Sequence, residues 1–326
     1  MRQKERKSGL LQSPRLAWNV LARGRYDFIY DQMPVHINAM PFKKRLNLLM
    51  GGMNLLYRRS PPWSMPLHMQ FELTNYCNLK CPVCPTGIGA VKRPQQNMDV
   101  AVFKKAIERV GPSLLTASLW AWGEPLLHPD IKEILKIASN YDMATLLSTN
   151  GQKLDNDRVI DALTAHPPTY LICAIDGLTN DTNSQFRQGA RLERILSGVR
   201  RIADIKRRYG MQLPILHMRF IVMKHNQHEV PHLLDFAQQH EFDLLTIRTL
   251  SIIDMEAPDQ THCHFVPDDQ NLRAYQYSNG QRITKRDFIC FEPFWFPTLF
   301  ADGTVVACEQ DFNGQLGLGK IQTHVS

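Results

Sequence analysis

No apolar run in this chain is long enough to cross a bilayer. The richest stretch, Leu46 to Tyr57, falls short of the ~20 residues a spanning helix needs and is broken by Gly51-Gly52. The apolar region of a secretory signal is missing too, because Pro14 and Arg15 interrupt the place where it would stand, so the chain is expected in the cytoplasm. Cysteine is scarce and odd in number, seven in 326 residues, which argues against a disulfide framework. The formal charge of +7 is modest, and much of the excess lies between Arg2 and Arg59, mixed with apolar residues. That mixture gives no strong nucleic-acid signal, since a phosphate-tracking surface needs a denser basic patch. A hydrophobic content of 44% can fill a sizeable core, so disorder is not expected.

Against these absences stand three crowded thiols, Cys77, Cys81 and Cys84, in the run Tyr76-Cys-Asn-Leu-Lys-Cys-Pro-Val-Cys-Pro85. Thiolates hold [4Fe–4S] clusters, normally by four ligands, so three in eight residues without a near fourth point to an iron left open for another molecule. Zinc is the alternative, but it closes its tetrahedron with a fourth Cys or His, usually in paired short spacings. No second pair follows; His262-Cys263-His264 lies far downstream.

The first 65 residues read as a basic helical extension. Arg15 to Arg23 and Phe42 to Met50 mix basic and apolar residues as an interfacial helix does, which gives two readings: a peripheral membrane contact, or a helix packed on its own protein with the basic face in solvent. After Pro61-Pro62, short apolar runs alternate with helical patterns, as in a parallel α/β fold. Strands are predicted at 67–73, 115–121, 144–148, 170–175, 215–222 and 244–249, with helices between them. One helix is N-capped by Asp99, one follows Pro129, one carries Leu192, Ile195, Leu196 and Val199, and one carries Val230, Leu233, Leu234 and Ala237. Six such units are fewer than a closed barrel has, and polar and glycine-bearing residues recur at strand ends. The expected fold is α/β, a partial (β/α)6 TIM-like barrel over 66–250 with its site at the strand C-termini. A connecting segment at 251–285 and a small C-terminal piece at 286–326 follow.

Cys77-x-x-x-Cys81-x-x-Cys84 after the first strand, Gly123-Glu124-Pro125 after the second and Thr149-Asn150-Gly151 after the third resemble the radical S-adenosylmethionine (SAM) superfamily, over roughly 66–249. The resemblance implies a [4Fe–4S] cluster on the three cysteines. SAM would chelate the open iron and be cleaved reductively to methionine and a 5′-deoxyadenosyl radical. By the same resemblance Glu124, with the backbone of Gly123, receives the SAM amino group, a charge-assisted contact. Asn150 lies near the ribose or methionine moiety and Arg187 meets the SAM carboxylate. Read without it, Glu124 is a helix N-terminal acid, Asn150-Gly151 a turn, and Arg187 a surface ion-pair partner. The chain departs from the family at Val83, where an aromatic residue is usual, at Ala174, where many members have Ser, and at Trp122, which replaces a glycine.

The C-terminal run Cys290 to Trp295, Asp302-Gly303 to Cys308 and Leu316 to Ile321 resembles the start of a SPASM domain, which implies an auxiliary iron–sulfur cluster to which Cys290 and Cys308 contribute. Two cysteines do not complete one, and the expected domain is a truncated one. Asp302-Gly303 is itself a hairpin signal. The implied enzyme abstracts hydrogen from a peptide, protein or small metabolite and takes electrons from a flavodoxin- or ferredoxin-type donor. The alternatives are a non-catalytic iron–sulfur carrier or scaffold, and an RNA-modifying member of the same superfamily.

Overall fold

A computed structural model describes residues 16, 18–57, 61–251, 264–273, 276–278, 281–282, 290, 293 and 296–321. The N-terminal segment, expected to be helical, is helical at residues 16 and 18–21 and then forms a hairpin of β1 (Tyr26–Tyr30) and β2 (Met33–Ile37) before helix α1 (Phe42–Tyr57). The hairpin turns on Asp31 and Gln32, both at positive φ (50° and 66°), the backbone that matches strand twist in a two-residue loop.

Helix α1 also reverses the expected packing. Lys44, Asn47, Gly51 and Asn54 form its buried face, whereas Phe42, Leu46, Met53, Leu56 and Tyr57 are exposed. The inward polar groups are satisfied: Asn47 exchanges hydrogen bonds with the backbone of Met65 at 2.8 and 3.1 Å, Asn54 bonds Ser64 and the Trp63 amide, and Lys44 donates to the Asp142 carbonyl. Burial lowers the Lys44 pKa, and Asp142 opposes that shift.

Six parallel strands follow in sequence order: β3 (His68–Phe71), β4 (Thr116–Ser118), β5 (Ala144–Thr149), β6 (Tyr170–Ala174), β7 (Ile215–Val222) and β8 (Leu244–Thr249). Helices α2 (Val100–Val110), α3 (Ile131–Ala138), α4 (Asp157–Ala165), α5 (Asn180–Phe186), α6 (Leu192–Tyr209) and α7 (Leu233–Gln239) are interleaved with them. This is the α/β partial barrel expected. Strand β6 is buried at every position, as a parallel strand covered on both faces must be. Asp99 caps α2 by accepting from the Ala101 amide at 2.7 Å, and the apolar faces of α2, α3 and α6 enter one core with the sheet.

Two helical expectations change. Helix α5, unpredicted, has no apolar period and is started by Thr179 capping the Thr182 amide at 3.1 Å. The helix expected to carry Val230, Leu233, Leu234 and Ala237 is split. Pro231 has no amide to donate, so Gln227–His232 is a 3₁₀ turn, α7 begins at Leu233, and Leu234 is exposed.

The hairpin plugs the end of the sheet where strands begin. Met33 packs with Leu146, Tyr170 and Ile172, Tyr170 donates to the Pro34 carbonyl, and Val35 and Ile37 pack with Leu67, Leu115 and Ala144. At the chain's other end, after a two-stranded ribbon β9 (Tyr277–Ser278) and β10 (Gln281–Arg282), strand β11 (Thr298–Leu299) pairs in parallel with β3. β12 (Thr304–Val306) and β13 (Gly317–Lys320) extend the sheet antiparallel, with the predicted hairpin at Asp302-Gly303 joining β11 to β12. A buried ion pair clasps this piece: Arg93 donates to both Glu72 oxygens at 2.6 and 2.7 Å, lies 3.7 Å over the Phe300 ring and bonds the Phe312 carbonyl, while Glu72 accepts from the Ala301 amide. Among the described residues no helix is long and apolar enough to cross a membrane.

Candidate active site

Strand β3 delivers the cysteine loop to the C-terminal edge of the sheet. The loop is folded by its own backbone: Cys84 donates to the Cys81 carbonyl at 3.2 Å and Ile88 to Cys84 at 3.0 Å. Gly87 is required there, because a Cβ on it would stand 2.4 Å from the Cys81 carbonyl oxygen. Leu79, Cys81 and Val83 join Phe186, Ala190, Met223 and Leu250 in an apolar cluster against which Cys77 and Cys84 pack. Val83, where the family usually has a ring, thus packs as an aliphatic contact. Burial pushes the Cys77 thiol up to about 12, helped by the negative charges of Glu124, Cys81 and Cys84 and opposed by the Leu79 amide, which donates to Sγ at 3.4 Å. Burial also raises Cys81, with Arg187 pulling the other way.

The loop after β4 brings Gly123 and Glu124 against the same edge. A Cβ on Gly123 would lie 2.0 Å from the Thr74 carbonyl oxygen, so only glycine lets this loop approach the start of the cysteine loop. The Glu124 amide donates to the Tyr76 carbonyl at 2.9 Å. Its carboxylate is buried and accepts three hydrogen bonds: Leu126 N at 3.1 Å, Thr149 Oγ1 at 2.6 Å and Asn150 N at 2.8 Å. Burial raises its pKa; these three bonds and Arg187 oppose the shift. Trp122, where a glycine was expected, donates from Nε1 to the Glu309 carbonyl at 2.7 Å and meets Phe312 edge-on, so it anchors the C-terminal piece.

Asn150, at the end of β5, reaches across to the cysteine loop, with Nδ2 2.8 Å from Asn78 Oδ1 and 3.5 Å from Cys77 Sγ. Arg187 closes α5 and donates from Nε to Asp176 Oδ2 at 2.6 Å, not to a surface partner. Burial alone would lower its pKa, but Asp176, Cys81 and Cys84 outweigh it and the net direction is upward. Asp176 is fixed in turn by the Ile221 amide on Oδ1.

Cys77, Cys81, Cys84, Gly123, Glu124, Asn150 and Arg187 all line one cavity of 360 Å³ at the strand C-termini, a volume in the range of small-molecule sites. Thr149 of the Thr-Asn-Gly motif lines it too, as do Trp120, Arg219 and Arg248, which sequence reasoning missed. The arginines had a readable signal: each is a charge inside an apolar strand, ILHMRFIV and LLTIRT. The C-terminal pair is not part of this constellation. Cys290 is exposed; the Cys308 thiol is raised by burial and by the charge of Cys290. Cys263 and His262 lie outside the described residues.

The model of the radical SAM superfamily matches residues 71–237, just over half the chain. The chain belongs to the radical SAM superfamily. It is 31% identical over 175 residues to pre-heme d1 synthase of Dinoroseobacter shibae, a match covering 53% of this chain and 41% of that protein. It is 24% identical over 178 residues to the PqqA peptide cyclase of Gluconobacter oxydans, covering 54% and 47%. Its fold resembles Streptococcus suis SuiB bound to the precursor peptide SuiA, with TM-score 0.60, 14% identity, and coverage of 87% of this chain and 68% of that one. The chain thus spans less than half the length of these two curated relatives. It is an enzyme of a superfamily whose members use a [4Fe–4S] cluster and SAM.

The residues present fit that group. Among the described residues no three His, Cys, Asp or Glu side chains converge as a single metal ion needs. The three thiols instead line one cavity together with Glu124, Asn150 and Arg187, a ligand set that would suit an iron–sulfur cluster.

Proposed function

We propose that the chain holds a [4Fe–4S] cluster on Cys77, Cys81 and Cys84, binds SAM beside it, and abstracts hydrogen from a peptide or small-molecule substrate. The observation carrying this reading is the single cavity that three thiols share with a fully buried, triply bonded carboxylate. An iron–sulfur carrier has no use for such a carboxylate. When bound, the two cofactors supply one-electron cleavage of a carbon–sulfur bond and a carbon radical.

The protein's part is positioning. Glu124 presents its remaining acceptor to the SAM ammonium, and Asn150 ties the Glu124 loop to the cysteine loop. Arg187, its Nε engaged by Asp176, has its remaining donors for the SAM carboxylate, and its charge offsets the thiolates beside it. Leu79, Val83, Phe186, Met223 and Leu250 keep water from the thiols. A flavodoxin- or ferredoxin-type donor has to supply the electron.

A peptide substrate is supported by relatives named for peptides: PqqA peptide cyclase, SuiB with SuiA, and anSMEcpe with bound AdoMet and Kp18Cys peptide, a structure matched at TM-score 0.52 and 16% identity. Pre-heme d1 synthase and the AdoMet-dependent heme synthase of Methanosarcina barkeri support a small-molecule substrate. Anaerobic reconstitution with iron and sulfide, followed by SAM and dithionite, tests the reading. About four irons per chain and 5′-deoxyadenosine are expected; a loaded cluster that never cleaves SAM sinks it. About eight irons would add an auxiliary cluster to which Cys290 and Cys308 contribute.

Contact with a membrane surface is favoured by one observation, the outward apolar face of α1. Co-sedimentation with anionic vesicles, lost in Leu56→Glu, is the expected result; no sedimentation of the unsubstituted chain refutes it.

A further inference from the structure

A second cavity, of 530 Å³, adjoins the first, and Trp120, Arg219 and Arg248 line both. Its walls include the rings of Tyr26, Phe28 and Tyr30 from the hairpin and Phe296, with Gln70 of β3 and Ser118 of β4. Two guanidiniums therefore stand at the junction of an aromatic chamber and the proposed SAM cavity. One carboxylate faces them: Asp31, at the hairpin tip, lies 2.5 Å from Arg219 Nη2 and contacts Arg248 Nη1. The chamber's other carboxylate, Glu309, accepts from Gln70 Nε2 at 2.7 Å.

Asp31 does not satisfy the pair. Two guanidiniums carry more N–H donors than one carboxylate can accept. Arg219 Nε is buried without a hydrogen-bond acceptor among the described residues, Nη2 being the atom held by Asp31. Ser118 Oγ, on the same chamber, is also buried and has no hydrogen-bond partner among the described residues. Buried donors without acceptors are costly, so a site that keeps them in a cavity is built for a ligand that completes them. Planar guanidinium forks match carboxylates, and aromatic walls match an apolar or flat body.

We infer that Arg219 and Arg248 recognise a carboxylate on the substrate, whose apolar part occupies the aromatic chamber. Asp31 is a tethered stand-in that such a carboxylate displaces or joins. The inference rests on the proposed function, which puts SAM in the adjoining cavity, and it narrows the substrate to molecules or peptide side chains that carry a carboxylate beside an apolar group.

The test uses the full, cluster-reconstituted chain with SAM present and 3-phenylpropionate as probe, titrated by ligand-observed NMR against 3-phenylpropanamide and phenyl phosphate. The acid should bind at least about tenfold better than the amide. Arg248→Gln should weaken the acid about tenfold. Asp31→Asn should tighten it by a similar factor, since the competing charge is gone while asparagine tolerates the positive φ of 50°. This second variant keeps the test decisive if Arg248→Gln fails to fold. Equal binding of acid and amide, no tightening in Asp31→Asn, or unchanged acid binding in a folded Arg248→Gln overturns the inference. Preferential binding of phenyl phosphate overturns it in favour of a phosphate-bearing substrate. Failure of the radical SAM reading would show elsewhere, as absent 5′-deoxyadenosine from the unsubstituted chain.

Discussion

Replacing Glu124 by Gln tests the proposed cofactor role most directly, because the damage can be worked out bond by bond. The carboxylate accepts from three donors, on Leu126, Thr149 and Asn150. An amide keeps one acceptor oxygen. With that oxygen accepting from Leu126 N and Thr149 Oγ1, the new NH₂ faces Asn150 N, and only the Asn150 amide loses its partner. One unsatisfied buried donor costs about 1–3 kcal/mol, and removing a charge that burial disfavours offsets part of it. The variant should therefore fold, with a loss of stability no larger than that. Glu124→Ala would strand all three donors and is the poorer test. SAM, if it meets Glu124 through its ammonium, loses a charged hydrogen bond of about 1.5–3 kcal/mol, or roughly 10- to 100-fold in affinity. Anaerobic equilibrium dialysis of labelled SAM, iron analysis and a melting curve on one preparation read this out. Weaker SAM with iron retained is expected; unchanged SAM affinity in a folded, iron-loaded variant would refute the role. The raised Glu124 pKa adds a sign: SAM binding should weaken on acidification at a pH above that of an ordinary carboxylate, and the variant should lack this step.

Gly87→Ala should lower iron loading without removing a ligand, because its Cβ would press on the backbone of Cys81 at 2.4 to 2.6 Å; iron equal to the unsubstituted chain would contradict the close fit. Arg93→Met should cost about 3–5 kcal/mol in denaturant unfolding, since Glu72 would keep its burial and lose its partner, and a loss near zero would show that the clasp is not structural. Acid should unfold the chain early. Burial holds His217 down to about 3, with Arg219 and Arg248 adding to the effect, while the unfolded imidazole titrates near 6.5. The unfolded state therefore gains protons first, and stability present above pH 6.5 should fall through the window down to about 3. The loss should reach several kcal/mol, since each tenfold difference in proton affinity between the two states is worth about 1.4 kcal/mol. His217→Gln should flatten that slope; an unchanged slope would place the acid sensitivity elsewhere.

How much of this was legible beforehand depended on whether the signal was local. Strands β7 and β8 were readable to the residue because apolar runs with clear ends define them. The cysteine, Gly-Glu-Pro and Asn-Gly motifs were readable as motifs, and the parallel sheet brings them to one cavity. The hairpin was hidden because its turn pair, Asp31-Gln32, lacks the usual glycine or asparagine, and α5 because its residues, NDTNSQF, carry no apolar period. The reversed face of α1 was hidden for another reason: its buried side is polar and is satisfied by partners outside the helix, near Ser64 just past its end and at Asp142 far along the chain. Arg219 and Arg248 were overlooked inside strands counted only for their apolar neighbours.

The C-terminal strands bear on modularity. Residues 296–321 continue the sheet from β3, and they touch the cysteine loop's surroundings repeatedly: at Glu72 and Arg93, at Trp122 through Glu309, and at Lys92, whose amide donates to Asn313 Oδ1 at 2.8 Å. A boundary drawn between barrel and appendage would therefore cut through a shared sheet and the ion pair that clasps it. Dissecting this protein into a catalytic core and a separable module would bare an edge of the sheet beside the cluster loop, so iron retention should depend on a segment that gives the three-cysteine site no ligand.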